Sequence, residues 1–117
     1  MNSIIEVKNQ IRKEPENWEI PFMDFVDDFR RRRDFSQIET AYQRDNDKID
    51  ALLASTVEYL CHEQGISVPN WVLSIPACQK PWFVSGIENL KAIALVESPL
   101  EFRIRKIFVL ENFLERV

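Results

Sequence analysis

The residues best suited to covalent or metal chemistry lie in one short stretch, Cys61-His62-Glu63, which contains the only histidine of the chain. A cysteine nucleophile and a histidine base must touch, but consecutive residues of a helix point about 100° apart. A zinc site needs three or four ligands at a recognisable spacing, and Cys61, His62 and Cys78 do not form such a set. We therefore predict no catalytic residue and no metal site.

Two adjacent carboxylates, Asp27 and Asp28, are the other candidates for acid–base catalysis. They fall opposite a stripe of phenylalanines at helical spacing (Phe22, Phe25, Phe29), which is where the solvent face of a helix belongs. The chain has two isolated glycines and no glycine-rich phosphate loop. These patterns predict a protein that is not an enzyme and has no cofactor.

Four consecutive arginines form the most basic run of the chain: Arg30, Arg31, Arg32 and Arg33. Their functional interpretation is contact with nucleic-acid phosphates, as in a DNA-associated transcriptional regulator. Their structural interpretation is a last helical turn whose cations complement the helix dipole, after acidic residues in the earlier turns. The net charge of −4 lacks the basic field typical of proteins that coat nucleic acid, so we favour the structural interpretation.

A proline-rich connector supplies the first candidate for a surface that binds a protein partner. Tryptophan and arginine dominate the energetics of interfaces when they are partly exposed, whereas packing in the core is the default role of aromatic residues. The basic segment after Pro99 adds cations, of which only a neighbouring pair such as Arg105 and Lys106 shares a direction on a helix. The candidate partner-binding residues are Trp71, Trp82, Phe83, Arg103, Arg105 and Lys106.

Composition indicates a globular protein of one domain. The chain has 117 residues, is 45% hydrophobic and contains eight Phe and three Trp, which suffices for a core. Two Gly are few for an all-β domain, which needs many turns. No apolar stretch approaches the roughly 18 residues of a membrane span, and the N-terminus lacks the pattern of a signal peptide. We expect a cytoplasmic protein with reduced cysteines.

Helix starts are marked by the capping-box pattern Ser-x-x-Glu, in which the serine accepts a backbone N–H bond and the glutamate reaches back. The pattern occurs at Ser3/Glu6, Ser36/Glu39, Ser85/Glu88 and Ser98/Glu101. Apolar periodicity predicts helices from Ser3 to Pro15, from Pro21 to Asp34, after Ser36, from Asp47 to Gln64 and between Pro69 and Pro76. It predicts two more helices, one after Ser85 and one after Pro99. The apolar residues of the helix after Ser85 are Ile87, Leu90, Ile93, Ala94 and Val96. Gly65 suits the left-handed position that ends the longest helix.

The predicted fold is all-α, a compact single-domain helical bundle of about five to seven helices with a Pro/Trp-rich connector. The domain spans residues 1–117, with 1–45 as a candidate N-terminal lobe and 46–117 as the main helical core. Residues 102–110 have two interpretations. Phe102, Ile104 and Lys106 alternate as in a strand, whereas Ile104, Ile107 and Phe108, together with Leu100, have helical spacing. A helix or an irregular turn is favoured there, because a helix start precedes the segment and no second strand signal is evident.

From Asp50 onward, the order of several short segments resembles a family of small bacterial antitoxin or regulator proteins. The segments are Gly65 with Val68-Pro69-Asn70-Trp71, then Pro81-Trp82-Phe83, then Glu97-Ser98-Pro99, then Phe102-Arg103-Ile104-Arg105-Lys106-Ile107-Phe108-Val109. Trp18 followed by Phe22–Phe29 adds to the likeness. Ile104 replaces the middle basic residue of the family segment, and the helix-turn-helix domain found in some members is not evident before Trp18.

The resemblance implies a non-enzymatic antitoxin-like protein that binds and restrains a cognate toxin of the nucleotidyltransferase type, encoded beside it. Two alternatives stay open. One is a DNA-associated transcriptional regulator that uses the arginine clusters, and the other is a dimerising structural module without a dedicated partner.

Overall fold

A computed structural model describes residues 2–115. These residues divide into two compact units, 2–43 and 44–115, and the prediction of one domain over 1–117 stays a prediction. The helices are α1 (Ile4–Lys13), α2 (Glu19–Arg32), α3 (Asp47–Gln64), α4 (Lys91–Glu97) and α5 (Leu100–Arg103). Single 3-10 segments span Pro15–Asn17, Phe35–Gln37, Asn70–Ser74 and Glu88–Leu90, and the strands are β1 (Trp82–Phe83) and β2 (Ile107–Phe108).

The described chain is mostly helical, as predicted, but it is not purely α. The strands β1 and β2 pair in parallel, with Trp82 opposite Ile107 and Phe83 opposite Phe108. No helix within residues 2–115 is both long enough and apolar enough to cross a membrane.

The unit of residues 2–43 is built on two amphipathic helices. The Ser3 hydroxyl accepts the N–H of Glu6 at 3.2 Å, which is the predicted start of α1. The buried side of α2 carries Phe25 and Phe29, whose rings stack with centroids 6.0 Å apart. The helix ends at Arg32, and the next residue, Arg33, has a left-handed φ of 53°.

The helix predicted after Ser36 is wrong, because only one 3-10 turn forms there. The carboxylate of Asp34, rather than the Ser36 hydroxyl, accepts the capping N–H, at 3.0 Å. The next residue, Gln37, is buried, and its amide donates to the Asn2 carbonyl at 2.7 Å and to Asp28 at 3.0 Å. Gln37 thus forms hydrogen bonds with segments distant in sequence, and the helix does not continue.

The unit of residues 44–115 is organised around α3, which has the predicted limits. Asn46 begins the helix by accepting the N–H groups of Lys48 and Ile49, both at 3.1 Å. Gly65 ends it with a φ of 70°, and the N–H of Ile66 bonds back to the Cys61 carbonyl at 3.0 Å. The helix is buried on nearly all sides between these ends, which identifies it as the core of the unit.

The segment around residues 102–110 differs from the prediction. The short helix α5 is followed by turns through Lys106, and β2 then pairs with β1 through bonds such as Trp82 N–H to the Lys106 carbonyl at 2.9 Å. The rings of Phe83 and Phe108 stack at 5.0 Å. The partner strand lies inside the proline-rich connector, and two-residue strands have no detectable alternation, so the sequence pattern could not indicate this pair.

The predicted capping boxes at Ser85 and Ser98 are also wrong. Gly86 turns the chain with a φ of 68°, so the first α-helical residue after Ser85 is Lys91. The helix α5 begins after Pro99 without a side-chain cap. The buried Ser98 hydroxyl instead lies within hydrogen-bond distance of the Ala94 and Val109 carbonyls and accepts the Val109 N–H at 2.8 Å.

We predict that Ser98→Ala destabilises the protein by about 1–3 kcal/mol, because it leaves the buried N–H of Val109 without an acceptor. Urea unfolding followed by circular dichroism measures the change. Ser67→Ala, at an exposed serine, is the matched control and should change stability by less than about 0.5 kcal/mol. Equal stability of the two variants would contradict the structural role given to Ser98.

Candidate partner-binding surface

Exposed aliphatic side chains concentrate in one stretch of the chain. Among residues 2–115, nine large apolar side chains are exposed, and five of them lie between residues 93 and 104. We call these five the aliphatic surface: Ile93, Leu95, Val96, Leu100 and Ile104. Scattered exposed apolar residues are normal, but a concentration of them marks an interaction site.

The solvent-facing side of α4 is apolar, which inverts the usual pattern of a surface helix. Ala94 is buried and therefore marks the inner side. At about 100° per residue, Ile93 and Leu95 point to either side of Ala94, and Val96 points about 160° away from it. Val96 is accordingly 79% exposed. Charged residues occur only at the two ends of α4, Lys91 and Glu97.

The short helix α5 has two distinct sides. Phe102 and Arg105 are buried, whereas Leu100, Arg103 and Ile104 are exposed. The exposed three have the i, i+3, i+4 spacing that places residues on one side of a helical turn, and Ile104 retains helical backbone angles. The outer side of α5 therefore presents a guanidinium between two aliphatic side chains.

Helical periodicity assigns Ile93 and Val96 to a buried stripe, so the sequence pattern does not predict this surface. The sequence KAIALVE of α4 did contain a usable signal. It has no polar residue between its ends, and a helix that is apolar all round must be covered either by its own chain or by something else.

The aromatic residues predicted to bind a partner are half-buried: Trp71, Trp82 and Phe83. The ammonium group of Lys48 lies 5.8 Å from the Trp82 ring centroid. Phe83 stacks on Phe108, and the ammonium of Lys91 lies 5.3 Å from its centroid. The Trp82 and Phe83 rings thus contact residues of their own unit, and the binding of a partner by Trp71, Trp82 and Phe83 stays a prediction.

The predicted role of Arg105 as a partner-binding cation must be corrected. Its guanidinium is buried, with Nη1 donating to Glu58 at 2.8 Å and to the Glu101 carbonyl at 3.0 Å, and Nη2 donating to the Val72 carbonyl at 3.0 Å. Arg105 lies on the inner side of the turn with Phe102, where Glu58 pairs with its charge, although its buried Nε has no hydrogen-bond partner among the described residues.

Arg103 and Lys106 are the predicted cations that remain accessible. Both are exposed, and neither side chain forms an ion pair or a hydrogen bond with the residues that the structure describes. Lys106 has a left-handed φ of 61°, which is uncommon for a residue with a side chain. Its carbonyl accepts the Trp82 N–H, so strand pairing holds it in this conformation.

The arginine run at the end of α2 is partly compensated by its own helix. One oxygen of Asp28 accepts from Arg31 at 2.5 Å and from Arg32 at 2.9 Å. The hydrogen bond from Arg32 is the largest cause that lowers the pKa of Asp28 below its ordinary value. Contact of nucleic acid with Arg30–Arg33 stays a prediction that this pairing does not favour.

The cysteines and the histidine do not meet in a reactive arrangement. Cys61 is buried, and its burial raises the pKa of the thiol to about 11, with Glu58 adding to the effect. Burial likewise raises the pKa of the Cys78 thiol. The Nδ1 atom of His62 lies 2.6 Å from a Glu101 oxygen, and no group of three or more metal-ligating side chains occurs among residues 2–115.

Comparison with protein-family models, with curated proteins and with solved structures gave no significant match. The resemblance to antitoxin-like proteins therefore stays a hypothesis.

We predict that Arg105→Met destabilises the protein by about 3–5 kcal/mol, because the Glu58 carboxylate is then buried without its partner. Urea unfolding measures the loss. Arg103→Met, at the exposed arginine of the same turn, is the control and should change stability by less than about 0.5 kcal/mol.

The double variant Glu58→Gln/Arg105→Met removes both charges and should be more stable than Arg105→Met alone. If the double variant lost as much stability as the single variants combined, the two side chains would not be coupled.

We predict that both thiols react slowly with a disulfide reagent at pH 8 in the native protein, because burial disfavours the reactive thiolate. Absorbance after addition of the reagent measures the rate. The same reaction in denaturing urea is the control and should be complete for both cysteines. Rapid reaction of Cys61 in the native protein would contradict its protected position.

Proposed function

We propose that this chain is a non-enzymatic, antitoxin-like protein that binds a cognate protein in a stoichiometric complex and thereby restrains it. The observation that carries the proposal is the solvent-facing side of α4, which is apolar instead of polar. A helix with this pattern is stabilised when another surface covers it.

The surroundings of Cys61 and His62 also favour a binding protein over an enzyme. The Cys61 thiol is buried in its protonated form, and the His62 ring pairs with the Glu101 carboxylate. A nucleophile needs access to a substrate, and Cys61 is fully buried.

The free energy gained by burying the aliphatic surface is too small to hold a complex together by itself. Full burial of one aliphatic side chain stabilises by about 1.5–3 kcal/mol, and these five are already roughly half covered. They therefore supply on the order of 5 kcal/mol, which only matches the lower estimates of the cost of association, about 4 kcal/mol. A stable complex requires further contacts, including polar ones, around this apolar centre.

The cognate protein is proposed to be the product of the adjacent gene, of the nucleotidyltransferase type that the sequence resemblance implies. Co-expression with an affinity tag on that product tests the proposal. We expect both chains to purify together at a 1:1 ratio, and we expect this chain to relieve growth inhibition caused by the tagged protein. This chain expressed alone with the same resin controls for non-specific retention. Separate purification together with unchanged growth would overturn the proposal.

A further inference from the structure

We infer that a cleft beside α4 receives a basic segment of the cognate protein, whose Lys or Arg side chains lay their apolar stems on aliphatic residues and their cationic ends on glutamates. The inference rests on the proposed function, since it names the chemistry of the partner segment. The cleft has a volume of about 500 Å³ and lies within the unit of residues 44–115. Three aliphatic residues, three glutamates and one asparagine line it: Leu90, Ile93, Leu110, Glu97, Glu111, Glu115 and Asn112.

The cleft has two walls, which a hydrogen bond joins. One side of α4 forms the first wall, where Leu90, Ile93 and Glu97 have the i, i+3, i+7 spacing of residues along one side of a helix. Residues 110–115, which follow β2, form the second wall. The Glu97 carboxylate accepts the Glu111 N–H at 3.0 Å across the cleft. The lining side chains therefore belong to one connected surface.

The charge of the cleft is negative and uncompensated. Elsewhere in the described chain, Asp28, Glu58 and Glu88 each have a Lys or Arg nitrogen within 3.0 Å. The three glutamates of the cleft form no ion pair with residues 2–115, and no Lys or Arg is among the lining residues. Like charges gathered around one cleft repel each other, so a bound cation would stabilise this arrangement.

Aliphatic residues beside carboxylates suit the side chains of lysine and arginine in particular. Each of these side chains has an apolar stem and a cationic end. The stem gains free energy by covering Ile93, which is 46% exposed, and the half-buried Leu90 and Leu110. The cationic end then pairs with a glutamate that the partner shields from water. A bare metal ion would leave the aliphatic residues uncovered, and residues 2–115 contain no group of three metal-ligating side chains.

A second copy of this chain is a poorer fit than a basic partner. In a two-fold symmetric contact centred on the cleft, each cleft meets its own equivalent, so three carboxylates approach three carboxylates. An unsymmetrical contact, with a basic stretch of one copy in the cleft of the next, leads to rings or open chains instead of a closed pair. Sedimentation of this chain alone detects either kind of contact.

Nucleic acid and anionic membranes are also poorer fits to the cleft. Both present phosphate groups, which the glutamates of the cleft repel. The net charge of −4 adds to this repulsion.

The test uses the purified full chain and the adjacent gene product, with affinity measured by isothermal titration at low and high salt. Glu111→Lys places a cation in the cleft and should weaken binding by about 30-fold or more at low salt, and by less at high salt. Ile93→Ala removes apolar contact area and should weaken binding by about threefold to tenfold. Glu39→Lys is the matched control, because it changes the net charge equally at an exposed glutamate outside the cleft, and its affinity should equal that of the wild type.

Hydrogen exchange of the adjacent gene product identifies the bound segment. We expect this chain to protect a segment that contains Lys or Arg, and we expect a Lys-to-Glu or Arg-to-Glu change there to restore binding to Glu111→Lys. Circular dichroism of each variant checks that the fold is intact, which is expected at exposed positions. If Glu111→Lys did not fold, Glu111→Gln would replace it, with an expected weakening of about fivefold that disappears at high salt.

The wild-type result separates the inference from the proposed function. Failure of the wild-type chain to bind overturns both of them. Binding that the variants at Glu111 weaken no more than Glu39→Lys does overturns only the inference, as does protection of a segment without Lys or Arg. Self-association of this chain in sedimentation also overturns the inference when Glu111→Lys abolishes that association, because a second copy would then occupy the cleft.

Discussion

The buried ion pair between Arg105 and Glu58 sets the orientation on which the candidate surface depends. Its guanidinium joins α3, α5 and the 3-10 segment that contains Val72. A buried charge must be paired and hydrogen-bonded, so this turn of the chain cannot rotate without a large loss of stability. Phe102 and Arg105 are buried on the inner side of this turn, and Leu100, Arg103 and Ile104 are exposed on its other side.

The contacts of Ser98 complement that constraint at the preceding helix. The helix α4 is too short to be stable by itself, and Ala94 is its buried residue. The Ser98 hydroxyl ties the end of α4 to Val109, just after β2. These bonds hold both ends of the segment that carries the aliphatic surface, and a preordered surface lowers the entropic cost of the association that we propose.

Charge is distributed differently in the two units. In residues 2–43, the carboxylate of Asp28 compensates Arg31 and Arg32 locally, as expected for a solvated helix end. In residues 44–115, one arginine is buried in an ion pair while Arg103 is exposed without a carboxylate partner. A role of Arg103 in binding a partner stays a prediction.

The sequence alone determined the helices whose signals are local: α1 from Ser3, and α3 with Gly65 at its end. Caps and apolar periodicity involve residues that are only a few positions apart, so they can be recognised in the sequence without knowledge of the fold. Only the tertiary structure decided that Arg105 turns inward while Arg103 stays outside, since both occupy similar sequence surroundings. The tertiary structure likewise decided the Ser98 contacts, the pairing of the two strands and the exposed side of α4. Each of these features depends on which distant segment of the chain covers a given face, and only long-range packing determines that.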